Sequence, residues 1–229
     1  MKPLLVVDAY LDPAGGAHNY LARFGERPAE VAAVAHGPCP RAASDYSAIF
    51  VTGSGASVCE PTAWVESAAA LLRDAATHRV PVLGICFGHQ LLPWALFGAD
   101  RVRRTATPEL GWVEIERTSE HALLEGLGAR FTAFESHRDE VVAVGDELEV
   151  FAENADCAVQ AFQVRGLPHY GVQFHPEMGL PEIEALIAER TSEAAGAAFD
   201  AASLLSGKRD TSELGDRIVA NFLSLADVE

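Results

Sequence analysis

Lysine is almost missing from this chain of 229 residues, in which Lys2 and Lys208 are the only two. Lysine and arginine together number 17 against 33 acidic residues, which gives a formal net charge of −16 at pH 7. A chain this acidic is a poor partner for nucleic-acid phosphates or anionic lipids, so neither ligand is expected. We interpret the excess negative charge as a contribution to solubility.

Paired cysteines and long apolar runs are also missing. The four cysteines, at positions 39, 59, 86 and 157, form no C-x-x-C pair. Reduced thiols of a cytoplasmic protein are therefore expected, rather than a disulfide framework or a zinc site. The apolar run Leu4–Val7 stops at Asp8 and is too short for a signal sequence. No segment reaches the roughly 18 apolar residues that a membrane span needs.

The chain does contain short apolar runs that alternate with amphipathic stretches. Thr62–Arg79 has apolar side chains at helical spacing and predicts a helix, and Val80–Ile85 then predicts a strand. This alternation predicts an α/β fold, a three-layer sandwich whose mostly parallel central sheet has helices on both faces. From Gly111 onward, short strand candidates separated by turns predict an added antiparallel strand layer.

The length favours one domain over residues 1–229, with 191–229 as a C-terminal helical extension. The predicted helices in and before that extension are Pro181–Glu189, Ser192–Leu205 and Thr211–Leu225. The alanine-rich stretch 194–202 is interpreted either as a surface helix that covers the sheet or as a binding site for a partner.

The segment 81–90, PVLGICFGHQ, is the most informative part of the sequence. Its apolar run ends at Cys86, with Gly84 two residues before and Gly88 two residues after. This pattern predicts a nucleophile elbow, a sharp strand-to-helix turn in which glycines allow the two backbones to approach closely. Cys86 would lie at a helix N-terminus, where the helix dipole favours the thiolate, and it is the candidate nucleophile.

A second apolar segment, Gly171–Phe174, ends in a histidine and a carboxylate. His175 follows it directly, and Glu177 lies beyond Pro176. A cysteine, a histidine and a glutamate at the ends of separate strands form a candidate nucleophile, base and orienting group.

The two segments together resemble the class I, or triad, glutamine amidotransferases. The family's elbow pattern, G-x-C-x-G-x-Q, is matched by Gly84, Cys86, Gly88 and Gln90. Its H-P-E signature is matched by His175, Pro176 and Glu177. The resemblance extends from Leu4 to about Glu182. It implies a Cys86–His175–Glu177 triad that needs no cofactor and no metal.

The resemblance also implies an oxyanion hole. One donor would be the backbone N–H of Phe87, next after the nucleophile. The other would come from the loop that contains Gly53 and Ser54. The family usually has Gly-Gly-Pro or a similar sequence there, so Ser54 and Gly55 predict a more flexible loop.

Four further residues are candidates for binding the substrate. Gln90, at the family's glutamine after the elbow, would hold the α-amino or carboxylate end, and Gly55 belongs to the neighbouring loop. Ser136 and His137 lie in a segment, 135–141, that resembles the S-H-x-D-x-V segment of the GMP-synthase-like branch.

The leading hypothesis is an enzyme that hydrolyses the side-chain amide of L-glutamine through a Cys86 γ-glutamyl thioester. The chain has no nucleotide-binding P-loop, so the ammonia would pass to a separate synthase partner. One alternative is a γ-glutamyl peptidase-like hydrolase that acts on γ-glutamyl amides. The other is a non-catalytic binding module on the same fold, which the intact triad argues against.

Overall fold

Nine strands form one continuous sheet in the computed structural model, which describes residues 2–142, 145–192 and 199–228. The strands are β1 (Leu4–Asp8), β2 (Ala29–Ala33), β3 (Ala48–Val51), β4 (Val82–Ile85), β5 (Val102–Arg117), β6 (Arg130–Val141), β7 (Leu148–Glu153), β8 (Ala161–Val164) and β9 (His169–Val172). The helices are α1 (His18–Leu21), α2 (Ala63–His78), α3 (Phe87–Phe97), α4 (Leu180–Ser192), α5 (Ala201–Ser206) and α6 (Ser212–Ala226). The strand order is β2-β1-β3-β4-β9-β8-β7-β5-β6.

The half of the sheet that contains β2, β1, β3, β4 and β9 is parallel. Every residue of β1, β3, β4 and β9 is buried, as is typical of parallel strands that are covered on both faces. In the pairing of β4 with β9, Ile85 lies beside Val172. The elbow and the H-P-E segment therefore leave the same edge of the sheet side by side.

Alternate residues of the parallel strands pack on opposite faces of the sheet. Leu4 and Val6 belong to a core that includes Phe222 of α6. Leu5 and Val7 belong to a second core, which contains residues of α2 and α3. The three-layer α/β prediction is confirmed.

The antiparallel strands predicted after Gly111 extend the same sheet rather than forming a separate sheet. β8 pairs with β9, and β7, β5 and β6 follow in antiparallel pairs. β5 and β6 are 16 and 12 residues long, because their pairing continues through polar residues that carry no apolar strand signal. The sheet curls so that the backbone N–H of His175 donates to the carbonyl of Phe134 in β6 at 2.8 Å.

The C-terminal region contains the predicted helices with shifted bounds. α4 and α6 match the first and third predictions closely, whereas α5 covers only the end of the second, whose residues 193–198 lie outside the described part. Leu204 of α5 and the preceding Phe199 pack against a third apolar cluster that includes Phe134 and Ile187. None of the helices described here is long and apolar enough to cross a membrane.

Candidate active site

The backbone at Cys86 has the strained conformation of a nucleophile elbow. Cys86 has φ 50° and ψ −100° and immediately precedes the first residue of α3. A Cβ added to Gly84 would collide with the carbonyl of Gly88, and one added to Gly88 would collide with the carbonyl of Val51. Both glycines are therefore required where the strand and helix backbones nearly touch. A positive φ at a residue other than glycine is costly and is concentrated at functional sites.

The position of Cys86 at the start of α3 adds an electrostatic effect. The N–H groups of a helix's first turn have no partners within the helix, and they place partial positive charge near the sulphur. Phe87 is the first residue of this turn. Phe87 therefore occupies the position from which the sequence predicts an oxyanion donor.

His175 connects the thiol to a carboxylate. Its Nδ1 lies 2.9 Å from Oε1 of Glu177, and the side chain of Cys86 is close enough to influence its charge. Burial works to lower the pKa of His175, but the neighbouring charges of Glu177 and Cys86 hold that pKa well above its usual value. The structure therefore brings the three side chains together in the order thiol, imidazole and carboxylate.

The loop after β3 packs directly against this group. A Cβ on Gly53 would lie 2.8 Å from Cε1 of His175, so a larger residue would displace the imidazole. The hydroxyl of Ser54 donates to the carbonyl of Ala9 at 2.6 Å and accepts from the N–H of Ala56 at 3.0 Å. The sequence predicts a flexible loop here, because it lacks the proline that the family usually has. The two hydrogen bonds of the Ser54 hydroxyl restrain this loop.

The four predicted substrate-binding residues, Gly55, Gln90, Ser136 and His137, line the cavity that contains the thiol of Cys86. Sγ of Cys86 lies 3.7 Å from the carbonyl oxygen of Ser136. The side-chain nitrogen of Gln90 donates to the carbonyl of Asp139 at 2.9 Å and to Oε1 of Gln173 at 3.0 Å. Gln90 therefore joins α3 to the antiparallel strands as well as lining the cavity.

A second, triad-like Cys–His–Glu group is buried beside the cavity. Nε2 of His137 lies 2.9 Å from Oε2 of Glu109, and its Nδ1 lies 3.0 Å from the carbonyl oxygen of Asp139. The ligating atoms of Glu109, His137 and Cys157 lie within 4.8 Å of one another, which is close enough to hold a metal ion. The thiol of Cys157 donates to the carbonyl of Val159 at 3.7 Å, and burial raises its pKa to about 12. Such a thiol is a poor nucleophile at neutral pH.

Sequence reasoning missed Tyr10 and Glu109. The hydroxyl of Tyr10 lies 3.4 Å from Oε1 of Glu177, and Glu109 supports His137. Tyr10 follows β1 at the same sheet edge as Cys86. Ligands of open α/β sheets bind at the carboxyl ends of the strands, so this position in the sequence could have identified Tyr10 as a site residue. Glu109 lies after the register shift in β5, for which the sequence gives no comparable signal.

The chain matches one protein family over most of its length. The model of that family, glutamine amidotransferase class-I, matches residues 5–191.

Curated relatives are similar over shorter stretches. A glutamine-hydrolyzing GMP synthase subunit from Methanopyrus kandleri is 42% identical over 106 residues, which are 46% of this chain and 56% of that protein. The protein of the same name from Methanococcus vannielii is 38% identical over 122 residues, 53% of this chain and 64% of that one. The chain therefore spans somewhat more than half the length of the curated relatives it matches.

Solved structures match over nearly the whole chain. A glutamine amidotransferase from Thermotoga maritima has a TM-score of 0.82 and 18% identity, with 99% of both chains covered. A glutamine amidotransferase from Methylobacillus flagellatus has a TM-score of 0.79 and 25% identity, with 98% of this chain and 95% of that one covered. These matches confirm the fold.

Proposed function

Because the chain belongs to the class-I glutamine amidotransferase family, we propose that it hydrolyses the side-chain amide of L-glutamine through a γ-glutamyl thioester on Cys86. The observation that carries the proposal is the pairing of β4 with β9, which brings the strained Cys86 elbow to the His175–Glu177 pair. We propose further that residues 1–229 act as one amidotransferase domain.

In the first step, His175 accepts the thiol proton and Sγ of Cys86 attacks the amide carbon of the substrate. Glu177 accepts the Nδ1–H of His175 and so favours the tautomer whose Nε2 faces the sulphur. The raised pKa of His175 suits this role, because an imidazole that binds a proton tightly takes one readily from a thiol.

The negative charge that develops on the substrate oxygen needs donors. We propose the N–H groups of Phe87 and Ser54 for this role, with Gly53 allowing the loop to approach His175. The intermediate then collapses as the C–N bond breaks and His175 gives its proton to the departing ammonia. Water attacks the thioester next, His175 takes a proton from it, and the C–S bond breaks to release glutamate and the thiol.

We assign the amino-acid end of the substrate to the cavity that contains the Cys86 thiol. Gly55 and Ser136 would provide backbone contacts there. The side chains of Gln90 and His137 already bond to protein groups, so their proposed role is to hold the binding wall in place.

Two relatives described above are named as subunits of glutamine-hydrolyzing GMP synthases. By analogy, we propose that ammonia passes to a separate synthase protein. The proposed cytoplasmic location fits this role, because the four cysteines are free thiols and the reaction requires a reduced one.

A glutaminase assay on the purified chain tests the proposal. Glutamate and ammonia should form in equal amounts with the wild-type protein, and Cys86→Ala should abolish both products. Formation of neither product, together with failure to trap a γ-glutamyl adduct on Cys86 by mass spectrometry, would reject the proposal in favour of a binding module.

A further inference from the structure

We propose that Tyr10 is a positioning residue for the Cys86–His175–Glu177 group. Its hydroxyl donates a hydrogen bond to Glu177 and so limits the negative charge that His175 faces. This inference rests on the proposed function and deepens it, because Tyr10 lies outside both sequence motifs and acts through Glu177 rather than on the substrate.

The carboxylate of Glu177 is buried and has few hydrogen-bond donors. Its Oε1 lies 2.9 Å from Nδ1 of His175 and 3.4 Å from the hydroxyl oxygen of Tyr10. Within residues 2–142, 145–192 and 199–228, no group is hydrogen-bonded to Oε2. A carboxylate removed from water depends on the donors that remain, so the hydroxyl of Tyr10 supports this charge together with the imidazole.

Tyr10 is the donor in this contact, because its phenol stays protonated. Burial and the neighbouring charge of Glu177 hold the pKa of Tyr10 well above its usual value. An ionised carboxylate can only accept hydrogen bonds, and a bond to a charged acceptor is stronger than one between neutral groups. The hydroxyl therefore places the positive end of its dipole toward Oε1.

The loop after β1 restrains the ring of Tyr10. The carboxylate of Asp8 accepts hydrogen bonds from both ends of this loop: Oδ1 from the N–H of Tyr10 at 3.1 Å, and Oδ2 from the N–H groups of Gly16 and Ala17 at 2.9 and 3.0 Å. A Cβ added to Gly16 would lie 2.2 Å from Cε2 of Tyr10, so glycine is required where the backbone packs on the ring. These contacts keep the hydroxyl beside Glu177.

The backbone of Glu177 is held by other residues. Nη1 of Arg23 donates to the carbonyl of Glu177 at 3.2 Å. A Cβ added to Gly215 of α6 would lie 2.1 Å from the carbonyl oxygen of Pro176, so α6 packs directly on this segment. Removal of the Tyr10 hydroxyl should therefore change the charge at Oε1 without displacing the backbone of Glu177.

The hydroxyl affects the reaction through the basicity of His175. Without it, the negative charge of Glu177 is less compensated and stabilises the imidazolium more, so the pKa of His175 rises. The imidazolium then gives its proton to the departing ammonia less readily, and kcat falls. The imidazole must be neutral to accept the thiol proton, so activity is lost as the pH falls through this pKa. A higher pKa therefore moves the acid limb of kcat/KM to higher pH.

Other charged or titratable groups face this pair from neighbouring elements. Those that interact with Tyr10, Glu177 or His175 are Asp8 of β1, Tyr20 of α1, Arg23, Cys86 and Glu135 of β6. The adjoining cavity is lined by Asp12, Arg138, Glu189 and Arg190. All of them remain in a Tyr10→Phe variant, so its difference from the wild-type chain reports the hydroxyl alone.

The pH dependence of kcat/KM for glutamine on the full chain tests the inference. Tyr10→Phe is the variant and Tyr46→Phe is the matched control, because the hydroxyl of Tyr46 donates to Oε2 of Glu30 at 3.2 Å in an exposed position. At 3.4 Å the bond to Glu177 is a weak one. We therefore expect Tyr10→Phe to move the acid limb up by about half a pH unit and to lower kcat about threefold, with KM little changed. Tyr46→Phe should match the wild-type chain.

Alkylation of Cys86 by iodoacetamide gives a second readout that needs no turnover of glutamine. Mass spectrometry measures the rate of adduct formation as a function of pH. The thiolate is the reactive form, and a less compensated negative charge nearby disfavours it. The alkylation profile of Tyr10→Phe should therefore also move to higher pH, whereas that of Tyr46→Phe should not.

The outcomes separate this inference from the proposed function. Superimposable profiles for Tyr10→Phe and Tyr46→Phe, with an active wild-type chain, overturn the inference alone. A lower kcat for Tyr10→Phe in which either profile stays in place would show that Tyr10 only packs within its loop, which also overturns the inference. A wild-type chain that hydrolyses no glutamine overturns the proposed function and this inference with it.

Discussion

The groups Cys86–His175–Glu177 and Cys157–His137–Glu109 contain the same three residue types, all of them buried. They differ first in the backbone at the cysteine. Cys86 has φ 50° at the start of a helix, and among the described residues Arg79 is the only other non-glycine residue with positive φ.

The groups differ next in what surrounds the sulphur. Cys86 lines a cavity and interacts electrostatically with His175, and its thiol bonds to the carbonyl of Ser136 in β6. The thiol of Cys157 bonds instead to the backbone of its own turn. His137 is held by Glu109 and the carbonyl of Asp139. From this comparison we propose that proximity of the three residue types is not enough to make a nucleophile. A strained turn, a helix N-terminus and access to a cavity are needed as well.

The largest expected effect separates the two cysteines. Cys86→Ala should lower kcat by at least about 10³-fold, the scale of losing a triad nucleophile. Cys157→Ala should leave kcat within the same order of magnitude, because that thiol takes no part in the proposed chemistry. Glutaminase kinetics and thermal unfolding of both variants measure this, and equal losses with unchanged unfolding temperatures would remove the distinction.

The next largest effect distinguishes the role of His175 from that of Glu177 in the first group. His175→Ala should lose nearly all activity because the base is gone. Glu177→Gln should keep measurable activity, since an amide can still accept a hydrogen bond from the imidazole. Comparison of kcat for the two variants checks this expectation. Complete loss in both, with folding intact, would show that Glu177 does more than orient the ring.

A smaller effect is expected at the loop that supports the first group. Ser54→Ala removes the bonds to Ala9 and Ala56 and should lower kcat about tenfold, less than the roughly 10²–10³ of losing an oxyanion donor outright. KM should change little. Ser54→Thr keeps the hydroxyl and serves as the matched control. If Ser54→Ala and Ser54→Thr have the same kcat, the hydroxyl does not hold the loop.

The smallest expected effect concerns Glu135, a buried residue near His137, Glu109 and His175. Its substitution tests the electrostatics around the second group. Burial raises the pKa of Glu135 to about 8, although the charge of His137 opposes the rise. The folded state therefore holds this proton more tightly than the unfolded state, so stability falls as pH rises from about 4.3 toward 8. Glu135→Gln mimics the protonated form.

Thermal unfolding across this pH range measures the effect of that substitution. The unfolding temperature of Glu135→Gln should exceed that of the wild-type chain by more at pH 8 than at pH 5. A difference that does not depend on pH would show that Glu135 has an ordinary pKa.

Much of the fold followed from the sequence, because local patterns specify it. The apolar run Val80–Ile85 predicted β4, and helical spacing predicted α2, each within one or two residues. The lengths of β5 and β6 did not follow, because their polar stretches are paired only through tertiary contacts. The curl of the sheet, which brings Phe134 to His175, also depends on such long-range pairing.

The sequence predicted those site residues that lie within a recognisable local motif. The glycines around Cys86 mark the elbow, and the H-P-E segment marks His175. Glu109 and Cys157 have no such local signal, because only the folded sheet brings them together.

Covalent labelling tests the central claim most directly, because it compares all four thiols of the intact chain at once. The protein would be treated with a diazo-ketone analogue of glutamine, digested and mapped by mass spectrometry. The account predicts a single label on Cys86, blocked by excess glutamine, with Cys39, Cys59 and Cys157 unmodified. A label on Cys157 in place of Cys86 would contradict it and would make the second group the reactive one.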